Sequence, residues 1–277
     1  MQILTSNIDR SVNFVEEQLI GFIESRYVRK VDDYFIAYLS SQTGCNRGCT
    51  FCHLTATNQT RSLDCTHEDF MEQARTVFEH YTKDKPARYM HYNFMARGEA
   101  LANRNLMDHS AELLMDLGQL ALDHGVKPKF NISTIMPVTM KRRLIDIFPI
   151  VTPTIYYSMY SADDAWRKRW MPAAMPVDDA IHQLREYQNV SKKIIKIHGA
   201  FIRGENDSEA AVSDMIDKIL DLNAEFNIVR YNPHSPDQGD ESPRIAEILA
   251  QLQECMPAKI IPRVGPDVQA SCGMFIH

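Results

Sequence analysis

One stretch of the sequence decides the fold: Ser40-Ser41-Gln42-Thr43-Gly44-Cys45-Asn46-Arg47-Gly48-Cys49-Thr50-Phe51-Cys52. Its cysteines, Cys45, Cys49 and Cys52, follow the spacing Cys-x3-Cys-x2-Cys. Three thiolates at this spacing can hold one cube of four irons and four sulfides, whereas electron-transfer proteins usually supply four cysteines. One iron then lacks a protein ligand and is open to another molecule. The loop therefore predicts a 4Fe-4S cluster with one open iron.

Two other interpretations of these cysteines stay open at this point. A structural zinc site needs four tetrahedral ligands, and His53 or Cys65 could complete one. Zinc loops, however, usually pair Cys-x2-Cys with a second such pair, which the sequence lacks. A disulfide framework is less favoured, because six cysteines among 277 residues are sparse and no secretory signal precedes them. The iron–sulfur interpretation is therefore preferred.

Length and composition are typical of a single large enzyme domain. The chain has 277 residues, of which 44% are hydrophobic, enough to bury a substantial core. The segment Met1–Arg10 is polar, and no later run approaches the length of a membrane span. We therefore expect a cytoplasmic protein without membrane contact, and we expect it to be a monomer.

The charge pattern bears on binding to nucleic acid. A net charge of −6 argues against a protein that coats nucleic acid without selectivity. RNA contact would have to use local basic clusters, and the sequence has three of them: Lys141-Arg142-Arg143, Arg167-Lys168-Arg169 and Lys192-Lys193. Each cluster is also what a solvated helix face looks like. Charge alone therefore leaves RNA binding open.

Strand-like and helix-like segments alternate along the chain. The predicted strands are Tyr34–Leu39, Tyr89–Phe94, Lys127–Ser133, Thr154–Ser158, Ile194–Phe201, Phe226–Tyr231 and Lys259–Arg263. The predicted helices are Thr66–Tyr81, Leu106–Leu120, Thr139–Phe148, Val177–Tyr187, Ser208–Leu220 and Ser242–Cys255. Such alternation implies parallel strands with covering helices. The predicted fold class is α/β, as an open, partial (β/α)6 barrel.

The predicted domain organisation places this partial barrel at residues 34–277, ending in an irregular C-terminal tail. Residues 1–33 are expected to form a short N-terminal helical extension, with one amphipathic helix over Val12–Ile23. In barrels of this kind the reactive groups lie at the C-terminal ends of the strands. The cysteine loop begins at such an end, directly after Leu39.

The other strand ends carry polar residues that suit a bound ligand. Gly98-Glu99 follows the second strand, where a glycine permits close backbone approach and a carboxylate could bind an ammonium group. Ser133 ends the third strand, and Ser158 with Tyr160 ends the fourth. Asn232 follows the sixth strand and could bind the edge of an adenine. Each signal alone also fits an ordinary turn, but together they predict a ligand site at one end of the barrel.

Here the chain resembles a known family, the radical S-adenosylmethionine (SAM) RNA adenine methyltransferases of the RlmN/Cfr type, from about Tyr34 to Cys272. Their cluster loop is similar to residues 40–52, and Arg61 and Leu63 fall in register behind it. Gly98-Glu99 resembles their Gly-Glu-Pro segment, with Ala100 in place of proline. The tail Asp267-Val268-Gln269-Ala270-Ser271-Cys272-Gly273 is similar to their C-terminal motif.

The resemblance implies two cofactors, a 4Fe-4S cluster and SAM, with reduction by a donor such as flavodoxin or ferredoxin. It implies that Cys45, Cys49 and Cys52 hold the cluster. The residues that it implies for SAM binding are Phe51, Gly98, Glu99, Ser133, Ser158, Tyr160 and Asn232. Phe51 would lie beside the adenine of SAM. The implied function is methylation of an adenine in ribosomal or transfer RNA, at C2 or C8.

The resemblance also implies a covalent methyl carrier, Cys272. Adenine C2 is electrophilic, so SAM cannot methylate it by direct displacement. In the implied mechanism, one SAM methylates Cys272, a radical from a second SAM removes hydrogen from that methyl group, and the carbon radical adds to the ring. A second cysteine, just before the cluster loop, then releases the product by forming a disulfide.

The chain departs from the family pattern in three respects. Tyr38 occupies the position of the second cysteine, so release of product by a disulfide is in doubt. Tyr160 stands where the family usually has histidine. The small RNA-engaging domain that precedes the family's barrel has no counterpart in the 33 residues before Tyr34. Glu24 lies near the family's glutamate implicated as a proton acceptor, and we expect it to have that role.

Two alternatives to this function remain at the level of sequence. The protein could be a radical SAM enzyme that acts on a substrate other than RNA. It could also be a non-catalytic protein that binds a metal for stability. Cleavage of SAM by the reduced, reconstituted protein separates both radical SAM functions from the second alternative.

Overall fold

The computed structural model describes all residues, 1–277, and is built around one ten-stranded sheet. The strands follow one another in the sheet in the order of the chain, from β1 to β10. They are β1 Gln2–Thr5, β2 Val12–Glu17, β3 Phe22–Val31, β4 Tyr34–Tyr38, β5 Tyr89–Phe94, β6 Lys127–Thr134, β7 Thr154–Ser158, β8 Ile195–Gly199, β9 Ala224–Val229 and β10 Ala258–Ile261.

The seven strands from β4 to β10 are parallel, whereas β1 to β4 pair antiparallel. The sheet is not closed, because β1 and β10 each pair on one side only. The open partial barrel predicted from the alternation of strands and helices is therefore confirmed. All seven predicted strands are present, and Tyr89–Phe94 and Thr154–Ser158 match residue for residue.

Helices cover one face of the sheet and bury an apolar core of 52 residues against it. They are α1 His53–Ala56, α2 His67–Tyr81, α3 Arg104–Asp123, α4 Leu144–Ile147, α5 Asp164–Trp170, α6 Val177–Ser191, α7 Glu209–Ile219 and α8 Ile245–Gln253. The start of α2 is fixed by Thr66, whose hydroxyl accepts from the backbone of Asp69 while the Asp69 carboxylate accepts from the Thr66 backbone. None of the helices combines the length and apolar character that crossing a membrane requires.

The prediction of an N-terminal helix is wrong. Residues 1–33 form three strands, and Val12–Ile23 is divided between β2 and β3 by a turn at Gly21, whose φ is +75°. A side chain at Gly21 would meet the carbonyl oxygen of Thr43 at 2.3 Å. The helical pattern was misleading because β2 and β3 bury residues on both faces, including the polar residues Asn13 and Glu24. These strands extend the barrel sheet and form no separate helical extension.

The helix predicted over Thr139–Phe148 is wrong over its first half. Only Leu144–Ile147 is helical, and the preceding segment is an irregular loop that starts with Met136 at a φ of +54°. The last helix is also shorter than predicted, since it begins at Ile245 and not at Ser242. The other helix predictions are confirmed within a few residues of each end.

A row of polar side chains crosses the face of the sheet opposite the helices. Asn13, Arg26, Tyr38, Asn93 and Asn131 are successive partners in register on β2 to β6. The Asn131 amide donates to the Asn93 side-chain oxygen at 2.7 Å. Residues paired in register point to the same face. The inner face of the barrel is therefore polar directly below the cysteine loop.

Candidate active site

A single cavity at the C-terminal ends of β5 to β7 brings the predicted site residues together. It encloses about 770 Å³ of space not filled by protein atoms, including the solvent at its mouth. Most of the predicted residues line it: Cys45, Cys49, Cys52, Phe51, Gly98, Glu99, Ser133, Ser158, Tyr160 and Cys272. The strand ends therefore converge with the cysteine loop, as the barrel argument predicts. Asn232 and Glu24 are not among the lining residues.

The three loop cysteines are partly buried free thiols. Burial raises the pKa of Cys45 to about 12 and that of Cys52 to about 11, and neighbouring sulfurs add repulsion at Cys45 and Cys49. The protein alone therefore disfavours the thiolates. A bound cation reverses this, because a thiol that coordinates a metal is deprotonated outright. This donor set fits an iron–sulfur cluster, whose irons would stabilise three adjacent thiolates.

The residues do not form a ready-made site for a single metal ion. No three His, Cys, Asp or Glu side chains converge as the ligands of one ion would. Cys65, one of the two candidates for a fourth zinc ligand, is buried outside the cavity. The other, His53, has its Nε2 at 3.2 Å from the Asn232 carbonyl oxygen. The arrangement thus gives the zinc interpretation no support.

Phe51 forms one wall of the cavity together with Tyr160. Their rings stack with centroids 4.6 Å apart and planes at 3°. Tyr160 follows β7 with a φ of +59°, and its carbonyl accepts from the Asn206 side chain at 2.7 Å. A flat apolar wall beside the cysteines suits the adenine of a nucleoside. Phe51 was predicted for this contact, but its stacking with Tyr160 was not.

Gly98 lets the second strand end approach the cysteine loop. Its φ is +91°, and a Cβ there would lie 2.7 Å from both the Gln42 nitrogen and the Ser41 hydroxyl. Glu99 follows, and its carboxylate accepts from the backbone of Leu101 and of Ile135, each at 3.1 Å. Burial raises the pKa of Glu99. These bonds fix a carboxylate in the cavity wall, where a cationic ligand would favour its charged form.

Ser133 and Ser158 lie at the ends of β6 and β7, in the cavity lining. The loop after Ser158 is held by Arg167, which is 2% exposed and donates to the carbonyl oxygen of Met159. The Arg167 guanidinium also lies over the ring of Tyr157, 5.5 Å from its centroid. Arg167 therefore shapes the cavity from below, and its inclusion in a surface RNA-binding cluster is wrong.

The exposed arginines of the basic clusters are paired with carboxylates, whereas Lys141, Lys168, Lys192 and Lys193 form no ion pair. Arg142 pairs with Asp108 at 3.0 Å and Arg143 with Asp146 at 2.8 Å. Arg169 pairs with Glu205 at 3.0 Å. Among the cations near the cavity, Arg47 lines it and donates to the hydroxyl of Thr139 at 3.0 Å. Arg47 was not singled out from the sequence, because a lone arginine in a loop carries no signal.

Asn232 contacts the tail and not the cavity. Its side-chain amide donates to the Cys272 carbonyl at 2.9 Å, and its side-chain oxygen accepts from Arg263 at 2.5 Å. The neighbouring tail residue Gly273 accepts from the backbone nitrogen of His53 at 3.1 Å. These bonds leave the exposed Cys272 side chain facing the cavity. Cys272 and Tyr160 thus line the same cavity.

Glu24 is fully buried in an ion cluster on the inner face of the sheet. Its carboxylate oxygens lie 2.7 Å from Arg26 and 2.7 Å from Arg97. Burial alone would raise the pKa of Glu24, but the two guanidiniums reverse this and hold it below its usual value. A carboxylate so strongly paired is a poor proton acceptor. The structure brings Glu24 to the tail, where its role as a proton acceptor stays a prediction.

Tyr38 lies on the inner face of β4, in the family position of the second cysteine. Asn93 is its partner in register on β5, and burial raises the pKa of the Tyr38 hydroxyl. The only cysteines that line the cavity are Cys45, Cys49, Cys52 and Cys272. Cys65 is buried elsewhere, and Cys255 is exposed just after α8. No second thiol therefore lies beside Cys272 apart from those of the cysteine loop.

Sequence comparisons place the chain among RNA methyltransferases, although no family profile matches it. It is 27% identical to the ribosomal RNA large subunit methyltransferase Cfr of Shouchella clausii over 248 residues, covering 86% of this chain and 67% of that protein. It is 28% identical to a probable RNA methyltransferase of Rhodopirellula baltica over 290 residues, covering 100% and 73%. It is 27% identical to the dual-specificity RNA methyltransferase RlmN of Gluconobacter oxydans over 250 residues, covering 86% and 59%. The matches thus leave between about a quarter and two fifths of each relative uncovered.

Solved structures share the fold. A radical SAM methyltransferase from Sphaerobacter thermophilus superposes with a TM-score of 0.83 at 20% identity, over 99% of this chain and 80% of that one. SuiB of Streptococcus suis, bound to SAM, gives a TM-score of 0.57 at 14% identity, over 86% and 55%. The chain is therefore similar in sequence to the Cfr and RlmN RNA methyltransferases, and it shares the partial-barrel fold of a solved radical SAM methyltransferase.

Proposed function

We propose that the protein is a radical SAM methyltransferase that modifies adenine in RNA, at ring carbon C2 or C8. The observation that supports this most is that Cys272, from the end of the chain, lines the same cavity as Cys45, Cys49 and Cys52. A four-cysteine metal site could also use Cys272 as its last ligand, but no three His, Cys, Asp or Glu side chains converge as the ligands of one ion would. A carrier thiol beside a radical-generating cofactor needs that arrangement.

Different residues of the cavity would hold the cluster, bind SAM and carry the methyl group. Cys45, Cys49 and Cys52 would hold the cluster, and the Phe51–Tyr160 wall, Glu99, Ser133 and Ser158 would hold SAM. When bound, the 4Fe-4S cluster and SAM supply a methyl group and, after one-electron reduction, a carbon-centred radical. Cys272 offers a sulfur that is accessible from the cavity and held by its own backbone. It can therefore accept a methyl group without a large movement of the tail.

Product release has to differ from the implied mechanism, in which a second cysteine forms a disulfide with the methyl carrier. Tyr38 has no thiol, and it lies beside Asn93 on the inner face of the sheet. We propose that the chain keeps the methyl carrier and alters the release step. The alternatives are another thiol entering the site, an external reductant, or a stable adduct between Cys272 and RNA.

We further propose that the protein acts as a monomer in the cytoplasm and that a flavodoxin or ferredoxin reduces it. Six free cysteines suit a reducing compartment. Ribosomal and transfer RNA are found in the same compartment. Comparison of RNA nucleosides by mass spectrometry, from cells with and without the protein, tests the proposed function. A methyladenine that depends on the protein supports it, and identical nucleosides argue against it.

A radical SAM enzyme with a substrate other than RNA is the second candidate. The observation that favours it concerns three arginines of the basic clusters. Arg142, Arg143 and Arg169 are all paired with carboxylates. Binding to RNA depends mainly on phosphate contacts by free cations. SAM cleavage by the reduced protein, without any change in cellular RNA, would favour this candidate.

A further inference from the structure

The C-terminal tail is held by buried charges whose partners are its own peptide groups. Arg26 donates to the carbonyl of Ala270 and to that of Met274, both at 3.0 Å. Arg97 donates to the carbonyl of Ile276, and the Ile276 nitrogen donates to Glu24 at 3.0 Å. The tail backbone is thus bonded on both sides of Cys272. Its attachment depends little on the side chains of most tail residues.

One tail side chain, that of Phe275, does contribute to the attachment of the tail. Phe275 is 6% exposed, and its ring lies against both arginines. The Arg26 guanidinium is 5.1 Å from the ring centroid and the Arg97 guanidinium is 5.6 Å from it. Both faces of such a ring attract cations, and the attraction is stronger when water is excluded. Phe275 therefore links the two arginines on the side of the cluster that faces the tail.

The hydrogen-bonding groups of this cluster are not all satisfied without the tail. Glu24 is a single carboxylate between two guanidiniums, and all three side chains are at most 3% exposed. Buried charges are tolerated when their remaining hydrogen-bonding groups are satisfied. Here the carbonyls of residues 270, 274 and 276 satisfy donors that Glu24 cannot reach. Undocking the tail would remove the carbonyl partners of these Arg26 and Arg97 donors.

We propose that Glu24, Arg26 and Arg97 form a clamp that recognises the tail backbone and so places Cys272 in the cavity. Glu24 is then a positioning residue, which orients the two arginines. The inference rests on the proposed function only in one respect: that function explains why Cys272 is held in the cavity. The docked position itself does not depend on any reaction.

The experiment measures tail docking in the cluster-loaded protein under anaerobic conditions, without RNA. One readout is hydrogen–deuterium exchange of the peptide that covers residues 268–276. The other is the rate of iodoacetamide labelling at Cys272 divided by the rate at Cys255, resolved by peptide mass spectrometry. Cys255 is exposed just after α8 and serves as an internal standard in the same molecule.

The variants separate the clamp from general stability. Phe275→Leu removes the ring and keeps apolar volume at the end of the chain, and Phe275→Tyr restores the ring. Arg26→Lys keeps a charge but cannot reach Glu24 and both tail carbonyls at once. Arg10→Ala is the control, because it breaks only an exposed ion pair with Asp32 and Asp84 in the same part of the protein.

We expect Phe275→Leu and Arg26→Lys to raise tail exchange and the labelling ratio by about tenfold, as for a locally opened segment. Phe275→Tyr should return both values to those of the unsubstituted protein, and Arg10→Ala should leave them unchanged. If Arg26→Lys loses its near-ultraviolet circular dichroism, the comparison of Phe275→Leu with Phe275→Tyr decides whether the clamp holds the tail. Unchanged exchange and labelling in Phe275→Leu overturn the clamp. A protected tail in a protein that never methylates RNA keeps the clamp and removes the proposed function.

Discussion

Phe51 and Tyr160 stack almost parallel, with ring centroids 4.6 Å apart, although they belong to different parts of the barrel. Tyr160 adopts the left-handed backbone region, with a φ of +59°. That region costs a residue with a side chain roughly 1–2 kcal/mol. The stack and the Asn206 hydrogen bond to the Tyr160 carbonyl hold this conformation. One face of Phe51 is thereby covered, so adenine must contact its other face or its edge.

This pairing predicts a specific effect on SAM binding. Tyr160→Ala should weaken SAM affinity by about two- to tenfold, since an aromatic pair contributes roughly 0.5–1.5 kcal/mol beyond burial. Tyr160→Phe should bind SAM as tightly as the unsubstituted protein, because it keeps the stack. Equilibrium dialysis against the anaerobically reconstituted protein measures both. Equal affinity in the alanine variant would show that the wall plays no part.

The cysteine loop predicts the metal content. We expect about four irons and four sulfides per chain after anaerobic reconstitution. Cys45→Ala, Cys49→Ala and Cys52→Ala should abolish cluster binding and SAM cleavage. Cys65→Ala should retain both, because Cys65 lies outside the cavity. Iron and sulfide analysis with visible absorption checks this, and stoichiometric zinc without iron would contradict it.

The approach of Gly98 to the cysteine loop can be tested with a matched glycine. Gly125 has a φ of +72° and open space around its Cα, so Gly125→Ala should cost only the backbone term of roughly 1–2 kcal/mol. Gly98→Ala adds a clash with Gln42 at 2.7 Å, and overpacking typically costs a further 1–3 kcal/mol or so. Urea unfolding of both variants measures the difference. Equal losses of stability would mean that the loop moves aside freely.

The basic cluster that includes Arg167 cannot be tested for RNA binding as a unit, because Arg167 is buried. Arg167→Glu should unfold or severely destabilise the protein, by about 3–5 kcal/mol, because the residue is buried. Lys168→Glu and Arg47→Glu change accessible cations and should weaken RNA binding while leaving the fold intact. Salt-dependent binding to total transfer RNA, beside thermal unfolding, separates the two effects. Unaltered RNA binding in both exposed variants would favour a substrate other than RNA.

The state of Cys272 distinguishes a methyl carrier from a structural thiol. After expression with SAM available, part of Cys272 should be recovered as S-methylcysteine in the tryptic tail peptide. Tyr38→Cys places a thiol on β4 and should increase product release if disulfide formation is the missing step. Peptide mass spectrometry and an assay on total RNA measure these outcomes. An unmethylated Cys272, with product still formed by Cys272→Ala, removes the carrier assignment.

The barrel was predictable because its strands are short apolar runs, and because reactive residues follow their C-terminal ends. Gly98, Ser133 and Ser158 reached the cavity for that reason. The N-terminal hairpin was not predictable. Its inward residues Glu24 and Arg26 are polar, and they are satisfied by tail groups that no local pattern shows. Arg26 and its partner Ala270 are 244 positions apart.

The site residues also fall into a group that the sequence predicted and a group that it did not. Residues that act through chemical type and position after a strand were found, whereas Arg97 and Phe275, which act through packing against the tail, were not. The SAM contact of Asn232 stays a prediction, and the bond of its amide to the Cys272 carbonyl was not predicted. Only the folded chain shows which polar groups face a ligand and which face another segment.

The pairing of β2 and β3 with the tail also sets an order of folding. Glu24 and the Ile276 nitrogen are 252 positions apart, and a contact between distant positions forms late because closing so long a loop costs entropy. The parallel strands can assemble from neighbouring units beforehand. The hairpin cannot bury its charges until residues 270–276 have been synthesised and have docked. We therefore expect Cys272 and the groups that hold it to be completed together, after the parallel strands have assembled.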